Sequence, residues 1–153
     1  PAAVDAVWRL TNHPGSLTSA WYDAIVEGLP SPRHYVELVG IVASMNAIDR
    51  FAAALDLDLL PLPEPSGGEP TRDQVDADVS SHWVPTTAMK GPNVIRALSA
   101  VPAANRARDL LSEAQYVPAM ALLGDLQWRR DGLDRRQNEL VAAQTSLLNV
   151  CFY

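Results

Sequence analysis

Cysteine and lysine are almost missing from this chain of 153 residues: one of each, Cys151 and Lys90, beside eleven arginines. A single cysteine excludes a disulfide within these residues. The default compartment is therefore a reducing cytoplasm, where cysteine chemistry is catalytic or redox rather than structural. The arginine excess reads as codon composition and carries no functional weight. Three histidines, His13, His34 and His82, stand at no metal-ligand spacing with the cysteine, so no metal is expected. No apolar run approaches the roughly 20 residues that span a bilayer. No basic start followed by an apolar stretch signals export. Glycine-rich phosphate loops and a G-x-S-x-G elbow are also missing. Net charge is −6, which argues against a nucleic-acid or anionic-membrane partner.

What is present is helical periodicity without a convincing run of β alternation, which gives an all-α chain. Residues 4–11 and 16–28 read as helices separated by His13-Pro14-Gly15, with Ser16 as N-cap and Gly28-Leu29-Pro30 as stop. Ser31-Pro32 opens a long helix whose stripe is Leu38, Val42, Met45, Ile48, Ala52 and Leu55. PLPEPSGGEP, residues 61–70, is too rich in Pro and Gly for a regular element. Residues 71–92 show no clear period. A short helix runs from Asn93 to about Ala100. Pro102 then opens a long one carrying Leu110, Leu111, Ala114, Val117 and Leu122, with a kink at Pro118. Gly132 punctuates, and Asp134 caps a last helix with Leu140, Ala143 and Leu147 on one face. Trp8, Trp21, Tyr22, Tyr35 and Phe51 fall on helical faces as core or subunit-interface residues. His13 reads as a surface residue, His34 as a possible carboxylate partner, and His82 as a loop anchor.

Two helices share a motif. ELVGIVASM begins at Glu37 and ELVAAQTSL at Glu139, 102 residues apart. Each reads E-L-V, four residues, Ser and a large apolar side chain. Chance in Ala/Leu/Val-rich helices explains this as well as duplication does. The position matching Cys151 in the first segment is Asp49, so only the second could perform sulfur chemistry. The chain organises as a first helical unit over 1–60, a Pro/Gly-rich connection over 61–92 and a thiol-bearing unit over 93–153. Pro1 in place of Met and the stop at Tyr153 read as cuts within a longer protein.

The ending NVCFY after an E-L-V helix resembles the alkyl hydroperoxidase D-type proteins of the carboxymuconolactone decarboxylase-like superfamily. Their signature is Glu, eleven residues, Cys, two residues, Cys, three residues, His. Glu139, eleven residues and Cys151 match its first half, and Phe152-Tyr153 would lie between the two cysteines. GPNVIRALS through AANRARDLL to the end is similar to the family's catalytic unit, and HYVELVGIVASMNAIDRF to a degenerate first one. The resemblance implies two related helical units, a homo-oligomer, and a thiol-dependent peroxidase without cofactor. Cys151 would be the resolving thiol and Glu139 a proton relay. The second cysteine would attack the peroxide, and a thioredoxin-like or lipoyl donor would restore the dithiol. The frame is expected to continue with Cys directly after Tyr153 and His four residues beyond.

A straight helix would carry Glu139 and Cys151 about 18 Å apart, so a break is expected near Asn149-Val150. Cys151 would then open a further helix, at the positive end of its dipole, with Glu139 folded back towards it. Taken alone, Cys151 reads as a small buried hydrophobe, a reading the resemblance reverses. Two other readings stand beside the peroxidase: a decarboxylase-like lyase using no dithiol, and a non-catalytic helical assembly module.

Overall fold

The computed structural model describes residues 1–67, 75–79, 82–118, 121 and 124–151. Among these the chain is mostly helical. Helices α1 (Ala2–Asn12), α2 (Ser19–Glu27) and α3 (Pro32–Ala54) precede the irregular connection. Helices α4 (Asn93–Arg96), α5 (Pro102–Gln115) and α6 (Arg135–Leu148) follow it. A 3₁₀ turn at Pro14–Ser16 and a hairpin, β1 (Arg129–Arg130) antiparallel to β2 (Leu133–Asp134), complete the described elements. No helix among the described residues is long and apolar enough to cross a membrane.

The second helix starts three residues later than its sequence suggested. Pro14 seeds a tight turn in which the Ser16 hydroxyl donates to the His13 carbonyl at 2.9 Å. Thr18, in extended conformation, caps instead, its Oγ1 accepting from the Trp21 amide at 3.2 Å. Ser31 and Pro32 open α3 as expected. The Ser31 hydroxyl, however, meets His34 Nδ1 at 3.0 Å rather than a backbone amide. His34 therefore pairs with a hydroxyl, not a carboxylate. On α3, Val42 and Ala52 are buried, Leu38, Met45 and Ile48 half-buried, and Leu55 exposed. Leu55 falls off the stripe because the helix has ended: Asp56 turns left-handed (φ 53°) and the Leu57 amide closes back on Ala52 at 2.9 Å.

The core joins both halves of the chain. Ala6, Tyr22, Ile25 and Tyr35 form one cluster, with Leu10, Leu38 and Val84 packed against it. Val36, Leu98 and Ala100 form another, which takes in Ala77, Val84 and Ala104. Residues from all three sequence segments thus share one interior. Trp8 and Phe51 are about half exposed and stand outside it. Arg33 ties the connection to α3, its guanidinium donating to the Val75 carbonyl at 2.5 Å and the Ala100 carbonyl at 3.5 Å. The segment without clear period contains a β-bridge between Asp78 and Thr86. Residues 61–67 form no regular element, while 68–74 lie outside the described residues. Helices α3 and α5 approach closely where Gly40 faces Ala104.

Helix α5 does not continue through a kink at Pro118. It stops at Gln115, since the residue before a proline is disfavoured in helical conformation. Arg130 donates to the carbonyls of Glu113 and Ala114 and so caps that last turn. Val117 is buried beyond the helix, Leu110 is exposed on it, and Leu122 lies outside the described residues. Asp131 and Gly132 both have positive φ (45° and 94°), the backbone of a two-residue hairpin turn. Asp-Gly is the residue pair that favours it. Asp134 then caps α6 with a full capping box: its carboxylate accepts from the Gln137 amide at 3.0 Å while the Gln137 side chain accepts from the Asp134 amide at 2.9 Å.

Helix α6 is inside out. Its buried or half-buried positions are Arg135, Asn138, Glu139, Ala142 and Ser146, which share one side at 3.6 residues per turn. Its leucines and Val141 face solvent. The repeated tripeptide shows the reversal directly. In α3, Glu37 is exposed while Leu38 and Val39 are half-buried; in α6, Glu139 is half-buried while Leu140 and Val141 are exposed.

The helix ends at Leu148, and the expected turn follows at Asn149–Val150. The left-handed residue is Val150 (φ 54°), not Asn149 (φ −90°). The Val150 amide bonds Leu147 at 3.1 Å and the Cys151 amide bonds Ser146 at 2.9 Å, a complete Schellman closure. A β-branched residue is strained there by about 1–2 kcal/mol. Val150→Gly is therefore expected to stabilise the chain by about 1 kcal/mol, read as a raised denaturation midpoint at unchanged m-value.

Candidate functional site

The side chains with chemistry to offer gather where α5 ends and α6 begins. Tyr116 is the residue directly after α5, held by its amide bond to the Ser112 carbonyl at 2.9 Å. Its hydroxyl donates to Glu139 Oε2 at 2.7 Å. Arg135, one turn earlier on α6, donates from Nε to Glu139 Oε1 at 2.6 Å and from Nη1 to the Ala121 carbonyl at 3.0 Å. The arginine is buried, and the carboxylate it holds is partly exposed. Glu139 thus has one oxygen on a phenol and the other on a guanidinium. Beside it lies an open cleft of about 860 Å³ lined by Leu126, Gln127, Arg135, Arg136, Glu139 and Leu140.

Burial, then the hydrogen bond to Glu139 and its negative charge, push the Tyr116 hydroxyl up to about 12; Arg135 works in the opposite direction. Tyr35, buried against Tyr22, is likewise pushed up to about 12 by burial first. Both phenols hold their protons more tightly folded than unfolded, where tyrosine titrates near 10. Their contribution to stability is complete below pH 10 and is lost as pH rises from 10 towards 12. Alkaline titration by phenolate absorbance should therefore show late-ionising tyrosines that revert to ordinary behaviour on unfolding. Tyr116→Phe should remove one of them.

The structure does not bring Glu139 and Cys151 together. Residues 139–148 run as uninterrupted helix, a rise of about 14 Å. Cys151 is exposed and follows the C-terminal end of α6, the negative end of that helix. The expected further helix beginning at Cys151, and Phe152-Tyr153 with it, lies outside the described residues. The bend forms where the sequence placed it, but too late to fold the carboxylate onto the thiol.

Sequence reasoning missed Tyr116 and Arg135. Arg135 carried a usable signal, an arginine one helical turn before Glu139. Tyr116 carried none, because its partner lies 23 residues away across a hairpin. Of the histidines, His13 lies against Trp8 with ring centroids 5.0 Å apart and the ring planes tilted by 59°. His82 Nε2 is buried without a hydrogen-bond partner among the described residues. Among those residues no three of His, Cys, Asp and Glu stand close enough to hold a metal ion.

No protein-family model, curated protein or solved structure matches the chain.

Proposed function

We propose that the chain belongs to a thiol-dependent peroxidase of the alkylhydroperoxidase-like kind, working as a homo-oligomer, with Cys151 as its resolving thiol. The observation that carries this reading is Cys151 itself: an exposed thiol presented at a turn immediately after a helix, twelve residues beyond a hydrogen-bonded glutamate. In the proposed reaction a second cysteine, supplied directly after Tyr153, attacks the peroxide as thiolate. Its sulfur takes the distal oxygen and an alcohol leaves, giving a sulfenic acid. The Cys151 thiolate then displaces hydroxide, which leaves as water after protonation, and a disulfide forms. A thioredoxin-like or lipoyl dithiol reduces that disulfide.

Glu139, bonded to the Tyr116 hydroxyl at the cleft, is the proton relay that the resemblance implies, although within one copy it stands too far from Cys151 to exchange a proton with it directly. The helix between it and the thiol makes its role separable from that of Cys151 by experiment. In protein carrying the expected Cys and His after Tyr153, Cys151→Ser should abolish dithiol-supported peroxide turnover. Unchanged turnover would refute the thiol assignment. Glu139→Gln should slow turnover by about 10²-fold, the usual scale of a lost acid–base group. An unaltered rate there removes the relay and leaves the thiol assignment standing.

A further inference from the structure

The outward face of α6 needs a cover. Arg136, Leu140, Ala143 and Leu147 form a continuous exposed stripe along it, and Leu140 and Leu147 are each about 70% exposed. Helix α6 packs mainly on strand β2 among the described elements. Fourteen residues are too few for a stable helix in water without tertiary support. An apolar helix face of this kind marks an interaction surface.

A second unpartnered apolar feature follows α3. After α3 the chain runs DLDLLPLPE over residues 56–64 as an irregular strap. Leu57, Leu59, Leu60 and Leu62 on it are between 56% and 83% exposed. The strap is acidic, with Asp56, Asp58 and Glu64 and no cation. The stripe on α6 carries one charge, the cation Arg136, which makes no hydrogen bond or ion pair among the described residues. The two features match in sign as well as in polarity.

They match in length too. Residues 57–64 can extend to about 26 Å at 3.3 Å per residue. Helix α6 is about 21 Å long. A strap laid along the helix would cover the whole stripe from Arg136 to Leu147. Proline at 61 and 63 limits the strap's conformational freedom, which lowers the ordering cost of docking.

We infer that the strap of one copy docks along the outward face of α6 of a second copy, with leucines against Leu140 and Leu147 and its aspartates beside Arg136. The inference rests on the self-association in the proposed function, not on its redox chemistry.

Cross-linking between two differently marked copies tests it. Cys151→Ser leaves the chain without thiols. In that background one preparation carries Leu60→Cys and another Leu140→Cys, the stripe residue level with Leu60 when Asp58 lies beside Arg136. Mixing them under mild oxidation should give a mixed disulfide dimer well above the yield of either preparation alone. Sedimentation equilibrium of the unaltered chain should show self-association. Arg136→Asp should weaken it about thirtyfold, and adding Asp58→Arg should restore it. A chain that stays monomeric at about 100 μM overturns the inference. So does an oligomer indifferent to the strap substitutions, which would mean that another surface covers α6. Peroxidase activity enters none of these readouts, so failure here and failure of the redox reading are distinguishable.

Discussion

A chain carrying Gly40→Leu is expected to lose about 3 kcal/mol or more of stability and to melt about 6–12 °C lower, the shift that such a loss produces at this size. Local preference points the other way. Glycine inside a helix costs about 1 kcal/mol relative to alanine, so most substitutions at an exposed helical glycine would help. At Gly40 the surroundings decide. A Cβ built there would lie 2.6 Å from the Ala104 methyl, with the Ala104 Cα at 3.6 Å. A methyl on a helix cannot swing aside, so α3 and α5 would have to separate. Their separation would open the cluster around Val36, Leu98 and Ala100. Gly40→Ala should already destabilise, by about 1–2 kcal/mol net. Ala104→Gly in that background should recover part of the loss, a coupling that a double-mutant cycle measures. Thermal melts that ignore Gly40→Leu would show that these helices do not touch in solution.

Arg135→Ala is expected to cost about 2–3 kcal/mol, or about 4–12 °C in melting temperature. Arg135 is buried and joins the Ala121 carbonyl to the Glu139 carboxylate through separate edges of its guanidinium. Because Glu139 is partly exposed, the ion pair alone contributes less than a fully buried one. Most of the loss comes from the void left by the side chain and from the Ala121 carbonyl, which keeps its bond from the Asp125 amide at 3.1 Å but loses its charged donor. Arg135→Lys should recover little, since an ammonium on a flexible stem does not reproduce the planar fork. A spectroscopic sign accompanies the loss. Arg135 opposes the upward shift of the Tyr116 hydroxyl, so its removal should raise that value further. Phenolate absorbance on the folded variant reads this independently of the melt.

The helices were legible in the sequence where local signals agree. Pro32 and Pro102 each stand at the first position of a helix, as expected from their fixed φ. Asp134 caps α6 as read, because the acceptor and its Gln137 partner sit three residues apart. The turn at 149–150 was also placed correctly. What local pattern could not supply was the direction a face points. Leu140, Ala143 and Leu147 define an apolar stripe by spacing, yet the same spacing serves a core and a docking surface. The hydrogen bonds of Arg135 and Glu139 turn the polar side inward, and these depend on Tyr116 and Ala121, both beyond the helix. The end of α5 was missed for a related reason. Its last carbonyls are satisfied by Arg130, from a hairpin not read in the sequence although Asp131-Gly132 announces it.

Gly15 gives the C-terminal turn its seat. A Cβ there would meet the Val150 Cβ at 2.9 Å and the Asn149 carbonyl oxygen at 3.2 Å. Helix α6 is therefore a strut, fastened at one end by the Arg135 guanidinium and resting at the other on a bare stretch of backbone between α1 and α2. Any side chain at Gly15 would lift the free end and carry the sulfur of Cys151 with it. The position of the thiol is thus governed by a loop near the opposite end of the sequence.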